Sequence, residues 1–355
     1  MNWINESCVT VDMFQLLNEG GKLVGEKPDI PDDKLLQLYK QMIFSRVFDE
    51  RALKLQRQGR IGTYAPFTGQ EAAQVGSAAA LDKGDWVFPS YREVAVSLVR
   101  GVPASQSLLY TMGHHSGSGD PDAHMFPVQI IIASQTLHAV GSAWASKYKK
   151  EKQVSVAYLG DGATSEGDFH EALNFAGVNS LPVIFFVQNN QWAISVPLSS
   201  QTASKSIAQK GIAYGLTSIQ VDGNDVLAVY ETMKKAVQLA KEGKPILIEA
   251  VTYRQGPHTT ADDPTKYRTK EELSAWKQKD PLLRMKHYLI HNHLWNETQE
   301  EEETAIAEQK MTEAYQTAIQ TPRSGLDDIF QNVYHKKTSN LEEQQNSSKR
   351  GEVSV

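Results

Sequence analysis

Apolar and polar positions follow two different periods along this chain, and the change of period marks its organisation. In "PDDKLLQLYKQMIFSRVFDERALKLQRQG" (31–59) apolar residues recur every three or four positions, which predicts a long helix. Asp32 or Asp33 is placed to cap it and Gly59 to end it. The Ala-rich "GQEAAQVGSAAALDKGD" predicts a helix able to sit close to its neighbours, and "PASQSLLYTMG" another. From 128 onward the pattern changes. A β-branched run, "VQIII", whose ordinary reading is a short apolar strand, precedes the small-residue helix "SQTLHAVGSAWASKYKK". Short apolar runs, "QVSVAYLG", "PVIFFVQ", "SIQVDGND" and "PILIEAV", then alternate with the helical segments "EGDFHEALNFAG" and "VLAVYETMKKAVQLAKEG". Fully apolar strands alternating with helices predict an α/β fold, a mostly parallel sheet covered by helices on both faces.

The remaining segments set the boundaries. Residues 1–30 are weakly patterned and are expected to form an arm, ahead of an α/β domain over 31–335 with helical extensions at both ends. The last stretch, 336–355, carries almost no apolar residues and is expected to be disordered. "HHSGSGDPDAHMFP" (114–127) breaks all periodicity and is too long for an idle turn. Composition removes several function classes. A net charge of −6 offers no general attraction for nucleic acid or an anionic membrane. The single cysteine, Cys8, excludes an internal disulfide framework and suits a reducing compartment. No apolar run approaches the roughly 20 residues a spanning helix needs, and "MNWINESCVTVDMF" has no signal-peptide pattern. The expectation is a soluble, cytoplasmic protein.

The chemistry centres on "VAYLGDGATSEGDF", where an apolar strand ends in a carboxylate between two glycines. A dinucleotide loop needs G-x-G-x-x-G, but Ser165 follows Gly160 and Gly162 at the third glycine position. A P-loop needs a lysine that is absent, and the oxygen-bearing residues do not alternate as in an EF-hand. Downstream, "VQNNQWAI" is a second strand end, carrying Asn189 and Asn190. A carboxylate, an amide oxygen and a backbone carbonyl, completed by diphosphate oxygens and water, suit octahedral Mg²⁺. Either motif alone reads as a turn. Both together, each directly after an apolar strand, read as a site.

GDG, 26 residues (163–188) and then NN resembles the thiamine diphosphate motif. With "RQGRIGTYAPFTGQEAAQVGSAAAL", "YRE", "VDGNDVLAVY" and "YRQGPHTTADDPTKYR", the chain over roughly 30–335 is similar to the α subunit of the heterotetrameric 2-oxo acid dehydrogenase E1 component. The resemblance implies the thiamine-diphosphate-binding fold. It also implies Mg²⁺ held by Asp161, the Asn190 side chain and the Trp192 carbonyl, with Gly160, Gly162 and Ala163 against the diphosphate. Tyr91 and Arg92 match the family's pair at the diphosphate end, where a planar guanidinium suits phosphate oxygens. Gln188 stands where some members carry arginine.

His258, in "PHTT", matches the family histidine near the reacting centre. It is expected to orient cofactor and lipoyl substrate, and its ordinary pKa near ~6.5 lets it change charge around neutrality. His114, His115 and His124 are taken as ordinary loop residues, as is Thr259, which matches a site that eukaryotic relatives phosphorylate. Ile132 would present its carbonyl to the aminopyrimidine and its side chain beneath the cofactor. Ser134 and Gln135 fall where some relatives hold K⁺, and Thr63 and Tyr64 are candidates for the substrate pocket.

The implied activity is oxidative decarboxylation of a 2-oxo acid with acyl transfer to the lipoyl group of the E2 acyltransferase. The glutamate that activates the cofactor would come from an E1 β subunit in an α₂β₂ tetramer, so this chain alone is expected to be inactive. "PVQIIIASQ" resembles pyruvate-type members. Thr63, where relatives usually carry phenylalanine, keeps a branched-chain alternative such as 3-methyl-2-oxobutanoate open. A nicotinamide oxidoreductase would need the missing third glycine. A non-catalytic scaffold subunit would tolerate loss of Asp161, Asn190 and His258, all of which are present.

Overall fold

The run Val183–Asn189 has no polar face because both of its faces are covered. In the computed structural model, which describes residues 11–331 and 333–352, this run is a central strand. The strands are β1 (Met13–Phe14), β2 (Trp86–Phe88), β3 (Ser155–Gly160), β4 (Val183–Asn189), β5 (Trp192–Ala193), β6 (Val196–Pro197), β7 (Thr217–Asp222) and β8 (Ile246–Val251). Six form one sheet in the order β1-β7-β8-β4-β3-β2, every pair parallel, while β5 and β6 form a small antiparallel hairpin. Side chains alternate between the faces. Val183, Phe185 and Val187 join Leu159 and Leu247 beneath the helices Ser134–Lys149 and Gly167–Asn179. Ile184 and Phe186 join Tyr158, Ile246 and Ile248 beneath the helices Asp32–Arg57, Glu71–Ala79 and Val226–Lys241. The α/β reading with both faces covered is therefore correct.

The small-residue segment is the buried helix Glu71–Ala79, and its Gly76 explains the composition. A Cβ there would lie 2.9 Å from the Val226 carbonyl oxygen, so only glycine admits the neighbouring helix. Three expectations change. Asp32 and Asp33 do not cap the long helix, since Pro31 occupies the cap position without a side-chain bond. They lie in the first turn, where carboxylates favour the helix dipole. "VQIII" forms no strand: after Phe126 donates to the Val87 carbonyl at 2.9 Å the chain leaves the sheet edge, and Ile130 and Ile131 stand 62% and 72% exposed. The tail is not structureless over its described part, because Ser339–Glu352 is helical and is held to the helix Leu326–Gln331 by polar contacts, Lys349 to Asp327 at 2.7 Å among them. A composition argument that counts only apolar burial misses such contacts.

The N-terminal arm is tied down from residue 13. Met13 and Phe14 extend the sheet beside β7, and the Leu16 and Leu17 N–H groups both donate to Asp225, at 2.7 and 2.6 Å. Cys8 lies outside the described residues. Beneath the arm, buried Arg284 pairs with Asp222 at 2.6 Å and donates to the Leu17 carbonyl at 3.3 Å. Removing one partner of a buried pair leaves the other charge uncompensated, at a cost of about 3 kcal/mol. Arg284→Ala is expected to lose that much in denaturant unfolding, and an unchanged midpoint would contradict this. Among the described residues, no helix is long and apolar enough to cross a membrane.

Candidate active site

Parallel strands bring their carboxyl ends to one edge, and four neighbouring ends meet here in the order β8-β4-β3-β2. Register sets the details. Gly160 pairs with Gln188, so Asp161 emerges beside Asn189 and Asn190. Asn189 pairs with Val251, and the Thr252 and Arg254 N–H groups continue the ladder onto the Asn189 and Asn190 carbonyls, at 2.9 and 3.4 Å. That continuation carries the chain to His258. At the far side, β2 runs directly into Tyr91 and Arg92.

Asp161 is 1% exposed, and its Oδ2 has no hydrogen-bond partner. Burial pushes its carboxyl up to about 6, against the pull of its own and the Asn190 N–H groups and of the Arg254 and Arg92 charges. Asn190 donates from Nδ2 to Gln70 Oε1 at 3.2 Å, which fixes the orientation of its amide. Its Oδ1 is engaged only by the Trp192 N–H at 3.3 Å and keeps a free lone pair. A Cβ on Gly160 would meet nothing within 4 Å, whereas one on Gly162 would lie 3.0 Å from the Ala193 Cβ. Gly160 thus leaves room beside the carboxylate, and Gly162 permits the hairpin's close approach.

The hairpin itself is strained, with φ of 75° at Gln191 and 56° at Ile194. A β-branched residue in that region is costly, and such costs gather at functional sites. Arg254, fully buried, holds the hairpin by donating to the Trp192 and Ile194 carbonyls at 3.3 and 2.7 Å. Gln201, which sequence reading did not single out, faces the Asp161 carbonyl and the Gly162 N–H, and with its amide oxygen and nitrogen exchanged it donates to the first at 3.0 Å and accepts from the second at 3.3 Å.

His258 lies between two guanidinium groups. Its Nδ1 stands 3.1 Å from Arg92 Nη2 and 3.4 Å from Arg254 Nη1, and both nitrogens can only donate. Nδ1 is therefore the acceptor, and the ring proton sits on Nε2. Arg92 also donates to the His258 carbonyl at 3.0 Å and to the Pro66 carbonyl at 2.5 Å. Burial first, then the Arg92 and Arg254 charges, push the histidine down to about 4, so in this arrangement it is neutral at pH 7 and does not titrate near neutrality as its ordinary pKa suggests. The sign follows from proton counting. Between about pH 6.5 and 4 the unfolded chain takes up a proton here that the folded chain refuses, so folding stability falls as pH falls. His258→Gln is expected to flatten that slope in unfolding measured from pH 7 to 4; an unaltered slope would contradict it.

Two cavities meet at this histidine. One, of about 220 Å³, is lined by Gly160, Asp161, Gly162, Asn190, Trp192 and Arg92. The other, of about 410 Å³, is lined largely by apolar groups including Val102, Met125, Phe126, Val128 and Ile130, with Thr63 and Tyr64 on its wall. Tyr91, Glu93, Ile132, Ile194 and His258 border both. Tyr64 presents its ring, because its hydroxyl is held by Asp49 at 2.6 Å. Gln188 is not aimed at a phosphate in the way an arginine there would be. Its amide donates to Glu93 at 2.7 Å and accepts from Gln74 at 3.0 Å. The Ser134 hydroxyl donates to the Ile131 carbonyl at 2.8 Å, while Gln135 donates to the Tyr158 carbonyl and leaves its own Oε1 buried without a partner.

The donor set fits a cation only together with an anionic ligand. Among the described residues, no three His, Cys, Asp or Glu side chains gather as a metal site. One partnerless carboxylate oxygen, one amide oxygen and one carbonyl leave half of an octahedron to other oxygens. Residues 39–326 match the family model described as dehydrogenase E1 component. The chain belongs to that family. It is 48% identical over 341 residues to the 3-methyl-2-oxobutanoate dehydrogenase subunit alpha of Mycobacterium tuberculosis, covering 95% of this chain and 93% of that one. It is 45% identical over 336 residues to the pyruvate dehydrogenase E1 component subunit alpha of Bacillus subtilis, covering 93% and 91%. The protein of that same name from Staphylococcus aureus is 42% identical over 346 residues, covering 96% and 94%. Membership of that family implies dependence on thiamine diphosphate.

Proposed function

We propose that this chain is the α subunit of a 2-oxo acid dehydrogenase E1 that holds Mg²⁺-thiamine diphosphate and, with its β subunit, decarboxylates pyruvate and passes the acetyl group to the lipoyl group of E2 in the cytoplasm. The observation that carries this reading is the partnerless Asp161 Oδ2 beside the Asn190 amide oxygen, at adjacent strand ends. Asp161, Asn190 and the Trp192 carbonyl would hold the metal. Gly160, Gly162, Ala163, Tyr91 and Arg92 would surround the diphosphate, and Ile132 would support the pyrimidine end. The bound cofactor supplies the electron sink for loss of CO₂. The protein's own part is to bind and orient: Arg92 braces His258, and His258 offers a neutral Nε2–H at the junction of the two cavities. Ser134 and Gln135 would hold K⁺, which the partnerless Gln135 Oε1 favours.

Apolar residues stand exposed where a partner is needed. Ile130, Ile131 and Ile132 lie beside the cavities, and Trp144, Tyr148, Phe175 and Val178 extend the surface along the helices that follow. Such a patch suits cover by a β subunit. The isolated chain is therefore expected to show no 2-oxo acid-dependent lipoyl acylation, with activity appearing when β is added; robust activity of α alone would contradict the reading. A second substrate is favoured by one observation. The 410 Å³ cavity with Thr63 on its wall has room for a branched chain such as that of 3-methyl-2-oxobutanoate. Since a methylene is worth about 1–3 kcal/mol in an apolar pocket, kcat/KM for the two acids with β present decides between them.

A further inference from the structure

Glu93 follows the Tyr91–Arg92 pair, is 4% exposed, and borders both cavities. Its surroundings are unusual for a carboxylate. Oε1 accepts from the Gln188 amide at 2.7 Å and Oε2 from the Arg92 backbone N–H at 3.3 Å. The nearest guanidinium, that of Arg92, is turned towards the Pro66 and His258 carbonyls and the His258 ring. Gln188, where an arginine would supply a cation, is itself locked by Gln74, whose amide also spans the Arg92 carbonyl and the Ala95 N–H. Glu93 is thus a buried carboxyl with neutral hydrogen-bond partners at the wall of the diphosphate cradle.

We propose that Glu93 is a cofactor-positioning carboxylic acid, which carries a proton when the site is loaded and donates its O–H towards a phosphate oxygen. The inference rests on the reading of the cradle given above. A carboxylate at this wall would repel phosphate oxygens, while the acid offers them a donor. Burial pushes Glu93 up to about 7, with the Arg92 charge, the Arg92 and Ser90 backbone groups and the Gln188 amide pulling it only part of the way back. The Glu93 charge in turn helps hold the buried Tyr158 hydroxyl on β3 in its neutral form, bonded to Ser77 at 3.0 Å. The proton comes from solvent as the cofactor enters and returns to solvent when it leaves, and nothing is oxidised or reduced. Affinity for the cofactor therefore weakens as pH rises through neutrality.

The test is proton uptake. Titration of the assembled α/β complex with thiamine diphosphate and Mg²⁺ in buffers of different ionisation enthalpy gives the protons exchanged on binding. Between pH 6.5 and 8 the wild type is expected to take up a larger fraction of a proton than Glu93→Gln, with the difference greatest above pH 7. Gln188→Arg, which places a cation beside the carboxyl, is expected to remove the same fraction without touching Glu93 and serves if Glu93→Gln does not fold. The conservative Glu93→Gln retains an N–H donor, so its affinity is expected to become independent of pH in this window. Proton balance in both variants identical to wild type would overturn the proposal. No binding to the wild-type complex would instead overturn the cofactor reading itself.

Discussion

Asp161→Asn lowers the affinity of the assembled complex for thiamine diphosphate by about 100-fold or more, and at the same time makes the cofactor-free protein more stable. The first effect follows from the loss of the anionic ligand in a set whose other members are an amide and a carbonyl. A ligand charge in a buried site is worth about 3 kcal/mol or more, and 1.4 kcal/mol is tenfold. The second follows from the partnerless Oδ2 and the raised carboxyl of Asp161, which make its ionised form costly when nothing is bound. An amide removes that cost. Thermal unfolding without cofactor is expected to move up by a few degrees, the trade between stability and function that binding sites show. A carboxylate kept only for a turn would give neither effect. Lost stability with unchanged affinity would contradict the metal assignment.

His258→Ala lowers kcat by about 100-fold or more, with a smaller effect on cofactor affinity. Removal of a donor or proton-handling group at a reacting centre has that magnitude. The imidazole stands where the cradle meets the apolar cavity, and its Nδ1 is already engaged by Arg92 and Arg254. Asparagine keeps an acceptor for the guanidinium groups but has no counterpart of the Nε2–H. His258→Asn is therefore expected to restore cofactor affinity but not kcat. Equal recovery of both would reduce His258 to a support for Arg92.

The fold was legible because its central strands are buried on both faces. "PVIFFVQ" and "VSVAYLG" cannot be amphipathic, and each ends at a turn rich in Gly or Asn. The pairing of Asp161 with Asn190 was legible for the same reason, since each residue follows a strand end. What sequence could not supply is what only adjacency creates. Glu93 acquires its role from Gln188 on β4 and Gln74 on a helix, and Gln201 from a hairpin that folds back over Gly162. The neutral state of His258 comes first from burial and then from the charge of Arg92, 166 positions away in the chain. "VQIII" misled because β-branched residues favour strands, yet here Val128, Ile130 and Ile132 line an open cavity and Ile131 stands exposed. The tail misled because its helix is held by charged and amide groups, which a count of apolar residues does not weigh.

The central claim is that Asp161, Asn190 and the Trp192 carbonyl form a metal-diphosphate clamp. Calorimetric titration of the assembled α/β complex with thiamine diphosphate, with Mg²⁺ and again with the divalent metal chelated, tests it most directly. One site per chain is expected, lost on chelation and restored by Mg²⁺. Binding of equal affinity in the chelated sample, or no binding with Mg²⁺ present, would contradict it.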